Sequence, residues 1–182
     1  KLADKIMKLV SIIQQKEKLH SFHEFQLDCD WTASTKQTYF LLVDEVKRLI
    51  KKSSHSFKDD AKLSATIRLH QIKFSSKTGV PNIDKGLLMC YNMGNLKNPS
   101  TKNSIIETGE MKKYLGNVNN YSLPLDIALP LFNWAVYFSN NTYKGIISTI
   151  NPEQLTVAGK QSGNEFIFTT DTIVNNIPFG KG

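Results

Sequence analysis

Cysteine is scarce in this chain, with two residues in 182. Cys29 and Cys90 each fall inside an apolar, strand-like run, and their spacing matches no zinc or redox motif. Both are expected to be buried free thiols, which leaves the compartment open. The histidines, His20, His23, His55 and His70, show no metal-ligand spacing such as H-E-x-x-H. No metal and no organic cofactor are expected. No apolar run approaches the roughly 20 residues that a membrane-spanning helix needs, so no transmembrane segment is expected. There is no arginine-rich stripe interleaved with aromatics and no nucleic-acid motif. The formal charge of +7 therefore reads as a solvated basic surface rather than a nucleic-acid face. Its lysines are scattered, with Lys47, Arg48, Lys51 and Lys52 on one helix and Lys112 and Lys113 on another. Internal repeats and low-complexity stretches are absent. No Met, helix cap or signal peptide precedes the first helix, and residues 176–182 read as a loop. The expectation is a fragment of a longer protein.

What is present suffices for one domain. The 182 residues are 40% hydrophobic, enough to bury a core. Residues 1–18 read as an amphipathic helix, with Leu2, Ile6, Leu9, Val10 and Ile13 at helical spacing. A strand follows around 23–30. Thr32 or Ser34 is expected to cap the next helix, which runs to about Lys52 with Tyr39, Leu42, Val43, Val46 and Ile50 inward. Strict alternation over Ser64–Ile72 predicts a second strand, with Ala65, Ile67 and Leu69 on one face and Thr66, Arg68 and His70 on the other. Residues 87–93 predict a third strand, apolar on both faces as in a buried parallel sheet. A helix is expected within 104–115 and a fourth strand over 125–134. Short β-like pieces such as Glu165-Phe166-Ile167-Phe168 fill the tail. Strand and helix alternate, which argues for an α/β fold with a parallel sheet.

The segment Glu24-Phe25-Gln26-Leu27-Asp28-Cys29-Asp30-Trp31-Thr32 carries the strongest hint of chemistry. Side chains two apart on a strand share a face, so Asp28 and Asp30 point the same way. Carboxylates at the C-terminal end of a strand that enters a helix are the usual layout of an α/β active site. The other reading is that one aspartate caps the helix and the second is held by backbone hydrogen bonds. Polar or aromatic groups also end the following strands: Arg68 and His70, Tyr91 and Asn92, Asn133 and Trp134.

At these positions the chain resembles the family 18 glycoside hydrolases, the chitinase-like (β/α)8 TIM barrels. That family ends its fourth strand with D-x-x-D-x-D-W-E, where this chain has Phe25-Gln26-Leu27-Asp28-Cys29-Asp30-Trp31-Thr32. The family's sixth strand carries M-x-Y-D and a glycine; here Met89-Cys90-Tyr91-Asn92-Met93-Gly94 stands. Its seventh reads G-L-P-x-Y-G, against Ala128-Leu129-Pro130-Leu131-Phe132-Asn133-Trp134. The resemblance implies one partial TIM-barrel-like domain over 1–182, with parallel strands four to seven represented and the earlier strands missing. Its core would span 20–138, with an irregular β-containing tail over 139–182. It also implies departures. The proton-donor glutamate falls on Thr32, the first aspartate on Phe25, and the acid after the tyrosine on Asn92. Asp28, Asp30 and Tyr91 remain as catalytic candidates, with Asp30 and Tyr91 in the positions that hold the substrate's acetamido group. Trp31, Arg68, His70, Asn92 and Trp134 are candidate substrate-binding residues, and core packing is the competing reading for both tryptophans. An internal ion pair to Asp28 or Asp30 competes for Arg68.

Three functions follow from these residues. One is a chitinase-like barrel that binds an N-acetylhexosamine-containing glycan without standard family 18 catalysis, a pseudoenzyme. Another is an active glycoside hydrolase with a displaced acid. The third is a scaffold or assembly component whose protein partner completes or covers the barrel. The resemblance implies an extracytoplasmic location: periplasmic, cell-surface or secreted.

Overall fold

The computed structural model describes residues 1–116, 118–148, 150, 154–155 and 158–181. The chain divides into two compact units, the first formed by residues 1–90 and 111–129, the second by 91–110 and 130–182.

The first unit is built on four parallel strands: β1 (Phe22–Leu27), β2 (Phe57–Arg68), β3 (Lys85–Met89) and β4 (Leu125–Ala128). They lie side by side in chain order. The alternation of strands and helices predicted this mixed α/β, parallel arrangement. The sheet is open, and no closed barrel is present among the described residues. Helices α1 (Leu2–Lys16) and α2 (Lys36–Lys52) pack on each other, and α2 also packs on β2. On α2, Tyr39, Val43, Val46 and Ile50 recur at i, i+4, i+7 and i+11 and are all buried. They meet a sheet core of Leu27, Leu63, Ala65, Ile67 and Leu88. Gly86 allows β3 to sit this close, because a Cβ there would stand 2.7 Å from Ile67 Cγ1 and 2.8 Å from Leu125 Cδ2. No helix among the described residues is long and apolar enough to cross a membrane.

Several local expectations need correction. β2 ends at Arg68, and residues 69–73 form the short helix α3 (Leu69–Lys73), followed by α4 (Ser75–Thr78). Leu69 and Ile72, three apart, are both buried, which is a helical spacing. The Gln71 side chain accepts the Arg68 N–H at 2.8 Å and so takes the place of a sheet partner. His70 therefore sits on a helix, exposed, rather than beside Arg68 on a strand. Thr35, not Thr32 or Ser34, occupies the N-cap position of α2. The Thr35 hydroxyl accepts the Thr32 N–H at 2.9 Å. α1 is rotated from its expected face. Ala3 and Met7 are buried, while Leu2, Leu9 and Ile13 are exposed. β3 and β4 are shorter than expected, and Pro130 lies two residues past the end of β4. Cys29 is exposed because it falls beyond the end of β1, whereas Cys90 is buried as expected. The helix expected within 104–115 is α5 (Thr108–Leu115).

Among the described residues, the second unit holds three antiparallel hairpins. They are β5 (Ala135–Ser139) with β6 (Thr142–Ile147), β7 (Gly159–Ser162) with β8 (Glu165–Phe168), and β9 (Thr172–Val174) with β10 (Ile177–Phe179). Asn140-Asn141 and Asn175-Asn176 close two of them with φ between 49° and 63° at all four residues. Paired positive φ values suit the twist of a two-residue hairpin turn, and asparagine tolerates them. The segment 176–182 is thus not a loop throughout, since it contains β10. Ala158, Phe168 and Phe179 form the buried centre, with Phe168 and Phe179 stacked at 4.5 Å.

Candidate functional site

The carboxyl end of β1 delivers Asp28 and Asp30 to the same face of β2. Asp28 Oδ1 accepts a hydrogen bond from the buried Thr66 hydroxyl at 2.8 Å. Asp30 is bound by Arg68 through two contacts, Nε to Oδ1 at 2.7 Å and a terminal guanidinium nitrogen to Oδ2 at 2.6 Å. Thr66 and Arg68 are two apart on β2, so the aspartates rise over one face in two steps. The Asp30–Arg68 pair is about half exposed on both sides. It is the internal ion pair that competed with a ligand-binding role for Arg68. Both oxygens of Asp30 are engaged by the guanidinium.

Deeper on the same face, the polar side chains link all four strands. The Ser64 hydroxyl donates to Glu24 Oε1 at 2.6 Å and accepts from Gln26 Nε2 at 3.2 Å. Lys85 Nζ lies 2.9 Å from Glu24 Oε2 and 2.7 Å from Asp126 Oδ2. The Ser64 hydroxyl, and then Lys85, hold the Glu24 carboxyl below its ordinary range. One face of this sheet is thus a hydrophobic layer and the other a chain of hydrogen bonds and charges.

Trp31 belongs to the core. It is 1% exposed, its ring stacks on Tyr39 at 4.6 Å and 8°, and its indole N–H donates to the Thr78 carbonyl at 2.9 Å. No face of that ring is left for a sugar, so the substrate-binding expectation for Trp31 is corrected to packing. Gln71, wholly buried, donates to the Trp31 carbonyl at 3.2 Å while also holding the Arg68 N–H. Thr32 keeps its hydroxyl within hydrogen-bond range of Ser34 Oγ at 2.9 Å and Thr35 Oγ1 at 3.2 Å. The phenols of Tyr39 and Tyr121 are buried with no hydrogen-bond partner among the described residues. Burial pushes the Tyr39 phenol well above its ordinary value and the Tyr121 phenol up to about 12.

Tyr91, Asn92 and Trp134 belong to the second unit. Asn92 is exposed and left-handed, with φ 57°. Tyr91 meets Phe132 edge to face, with ring centroids 5.9 Å apart. Phe132 in turn lies 5.0 Å from Trp134, whose indole N–H donates to Ser104 Oγ at 2.9 Å. Among the described residues there is no group of three or more His, Cys, Asp or Glu side chains placed to hold a metal ion.

Residue reasoning missed Thr66, Gln71, Ser104 and Phe132. Thr66 was within reach, since it shares the two-residue period of Ser64 and Arg68. Gln71 was hidden by reading its helix as strand. Ser104 and Phe132 owe their roles to contacts across 30 residues of chain (Ser104 to Trp134) and about 40 (Tyr91 to Phe132), which no local pattern displays. No protein-family model, curated protein or solved structure matches this chain.

Proposed function

We propose that this protein is a family-18-like, TIM-barrel-related glycan-binding protein that recognises N-acetylhexosamine-containing carbohydrate without standard family 18 catalysis. The parallel strands in chain order support a barrel-like relationship, because doubly wound sheets reverse their strand order where barrels do not. The polar chain from Glu24 to Asp126 would then face the barrel interior, below a rim of Asp28, Asp30 and Arg68.

The observation that carries binding over hydrolysis is the state of the acid positions. A general acid needs a proton on an oxygen within reach of the leaving group. Thr32 is not an acid, and its hydroxyl is engaged by Ser34 and Thr35. Asp30 is committed to Arg68 and Asp28 to Thr66. Such groups orient a ligand's polar atoms and leave its glycosidic bond intact.

The test is calorimetric titration with N-acetylglucosamine oligomers alongside a hydrolysis assay on the same sugars. Saturable binding without product is the expected result, with Asp30→Ala weakening the binding. Turnover that disappears in Asp30→Ala would instead establish a hydrolase with a displaced acid. An extracytoplasmic location goes with the glycan reading and is checked by cell fractionation of the full-length protein.

One observation favours the scaffold reading in second place. Leu2, Leu9 and Ile13 on α1, and Ile127 and Leu129 around the end of β4, are exposed apolar side chains. Neither binding nor turnover, together with a protein that co-purifies stoichiometrically, would move the scaffold reading to first.

A further inference from the structure

β4 is an edge strand, and among the described residues nothing pairs with its far side. The Pro124 and Ala128 carbonyls accept the Gly86 and Cys90 N–H groups at 2.9 Å and 3.0 Å. The even-numbered residues therefore turn their backbone groups toward β3. Backbone direction alternates along a strand, so the N–H and C=O of Leu125, Ile127 and Leu129 turn outward. An edge of this kind is a template for another strand. The same three residues share a side-chain face. Ile127 and Leu129 each keep 65% of their surface exposed, and Leu125 is partly buried. Asp126 lies on the opposite face, with Lys85 Nζ 2.7 Å from its Oδ2.

The run Pro124-Leu125-Asp126-Ile127-Ala128-Leu129-Pro130 is nearly the same in both directions from Ile127. A two-fold axis at Ile127 would set a second copy antiparallel, with Ile127 opposite Ile127, Leu125 opposite Leu129 and Asp126 opposite Ala128. The outward backbone groups then meet as hydrogen-bonded pairs, and six apolar side chains gather on one face. Each Asp126 faces an alanine and stays beside its own chain's Lys85, so like charges do not meet. Other registers fit worse. A slide of one residue opposes the outward groups to groups already bonded to β3. An axis at Asp126 sets the two carboxylates opposite each other, and one at Ala128 carries the pairing past Pro130. We propose that β4 is the contact of a symmetric dimer, in which a second copy of this chain pairs antiparallel about Ile127 and joins the two sheets edge to edge. The contact covers on the order of a few hundred Å² per partner, below the roughly 800 Å² of a standard stable interface, so the dimer is weak and reversible. It is independent of any sugar binding.

The test is sedimentation equilibrium of the full chain from about 5 to about 500 μM. A monomer–dimer equilibrium is expected, with a Kd on the order of 10–100 μM. Ile127→Lys sets two like charges at the axis and is expected to abolish the dimer. Its circular dichroism and melting temperature are expected to match wild type, because the side chain is 65% exposed. If that variant disturbs the fold, Ile127→Thr keeps the β-branched shape and is expected to weaken dimerisation about tenfold. Cross-linking reads the register. In a Cys29→Ser background, which removes the exposed native thiol, Ile127→Cys is expected to form a disulfide-linked dimer under mild oxidation. Paired Cα atoms about 5.5 Å apart lie within disulfide reach. Leu125→Cys and Leu129→Cys are expected to link to each other when mixed and not to themselves. A chain that stays monomeric throughout overturns the proposal, whether its edge is left bare or is taken by a different protein. So does a dimer undiminished in both Ile127→Lys and Ile127→Thr, or Leu129→Cys linking to itself as readily as Ile127→Cys.

Discussion

The two units of this chain are held together by different physics. In the first, parallel strands bring together residues far apart in sequence: Glu24 pairs with Lys62, and Ser64 with Lys85. Such contacts carry a large loop-closure cost, and only a deep core offsets it. That core includes Trp31, Phe57, Leu63, Ile67, Ile72 and Leu88, all essentially solvent-free. In the second, each hairpin closes over two residues, so the closure cost is small. Among the described residues its buried centre is Ala158, Phe168 and Phe179, ringed by partly buried apolar side chains. The difference teaches where each unit is vulnerable: the first to lost volume, the second to lost turn geometry as well as to loss of one of its rings.

The largest expected effect tests the first half of that contrast. Trp31→Ala should destabilise the first unit by about 3–5 kcal/mol, through lost burial and the orphaned Thr78 carbonyl. Urea titration with amide hydrogen exchange would show the loss in β1–β3, and a cost below about 1 kcal/mol would remove Trp31 from the core account. Phe168→Ala should cost about 3 kcal/mol and deprotect the hairpins. Equal deprotection of the four-stranded sheet would break the contrast. Asn141→Val places a β-branched residue at φ 58° and should cost roughly 1–2 kcal/mol, whereas Asn141→Gly should be close to neutral. If valine and glycine behave alike, turn geometry is not what holds the hairpin.

Two smaller effects sharpen the picture of the first unit. Tyr39→Phe removes a buried hydroxyl that has no partner among the described residues, so stability should be unchanged or rise by up to about 1 kcal/mol. A clear loss would mean that the hydroxyl is hydrogen-bonded in solution. The smallest effect is a pH dependence. Glu24 is held below its ordinary value of 4.5 in the folded chain, so the unfolded chain binds this proton first as pH falls. Its contribution is therefore complete above that value and is lost as pH drops through the folded value. Exposure of about a third of the side chain keeps it small. Melting temperatures of wild type and Glu24→Gln should converge as pH falls from about 6 to about 3, and parallel curves would show that the Ser64–Glu24–Lys85 chain contributes nothing.

Much of the first unit was legible because its periods are clean. The 3.6-residue spacing of Tyr39, Val43, Val46 and Ile50 marks α2, and the two-residue alternation of Ser64 to Arg68 marks the end of β2. The alternation misled beyond Arg68, since Leu69 and Ile72 satisfy a helical spacing as well as lying in an apolar run. On α1 both apolar stripes have helical spacing, and only the neighbouring α2 selects the one with Ala3 and Met7. At Asn175-Asn176 the asparagine pair is a turn signal, and the structure makes it the two-residue turn of the β9–β10 hairpin instead of the start of a loop.

For the candidate site, the chain's own residues fixed which chemical groups are available: two aspartates two apart, a threonine just after them, and aromatics beyond the third and fourth strands. Only tertiary structure decided what those groups are free to do. It spent Asp30 on Arg68, sealed Trp31 beneath Tyr39, and stood Phe132 between Tyr91 and Trp134. The reason is physical. Residue type sets charge, size and hydrogen-bonding capacity, but whether a group meets a partner or solvent depends on neighbours that local sequence does not specify.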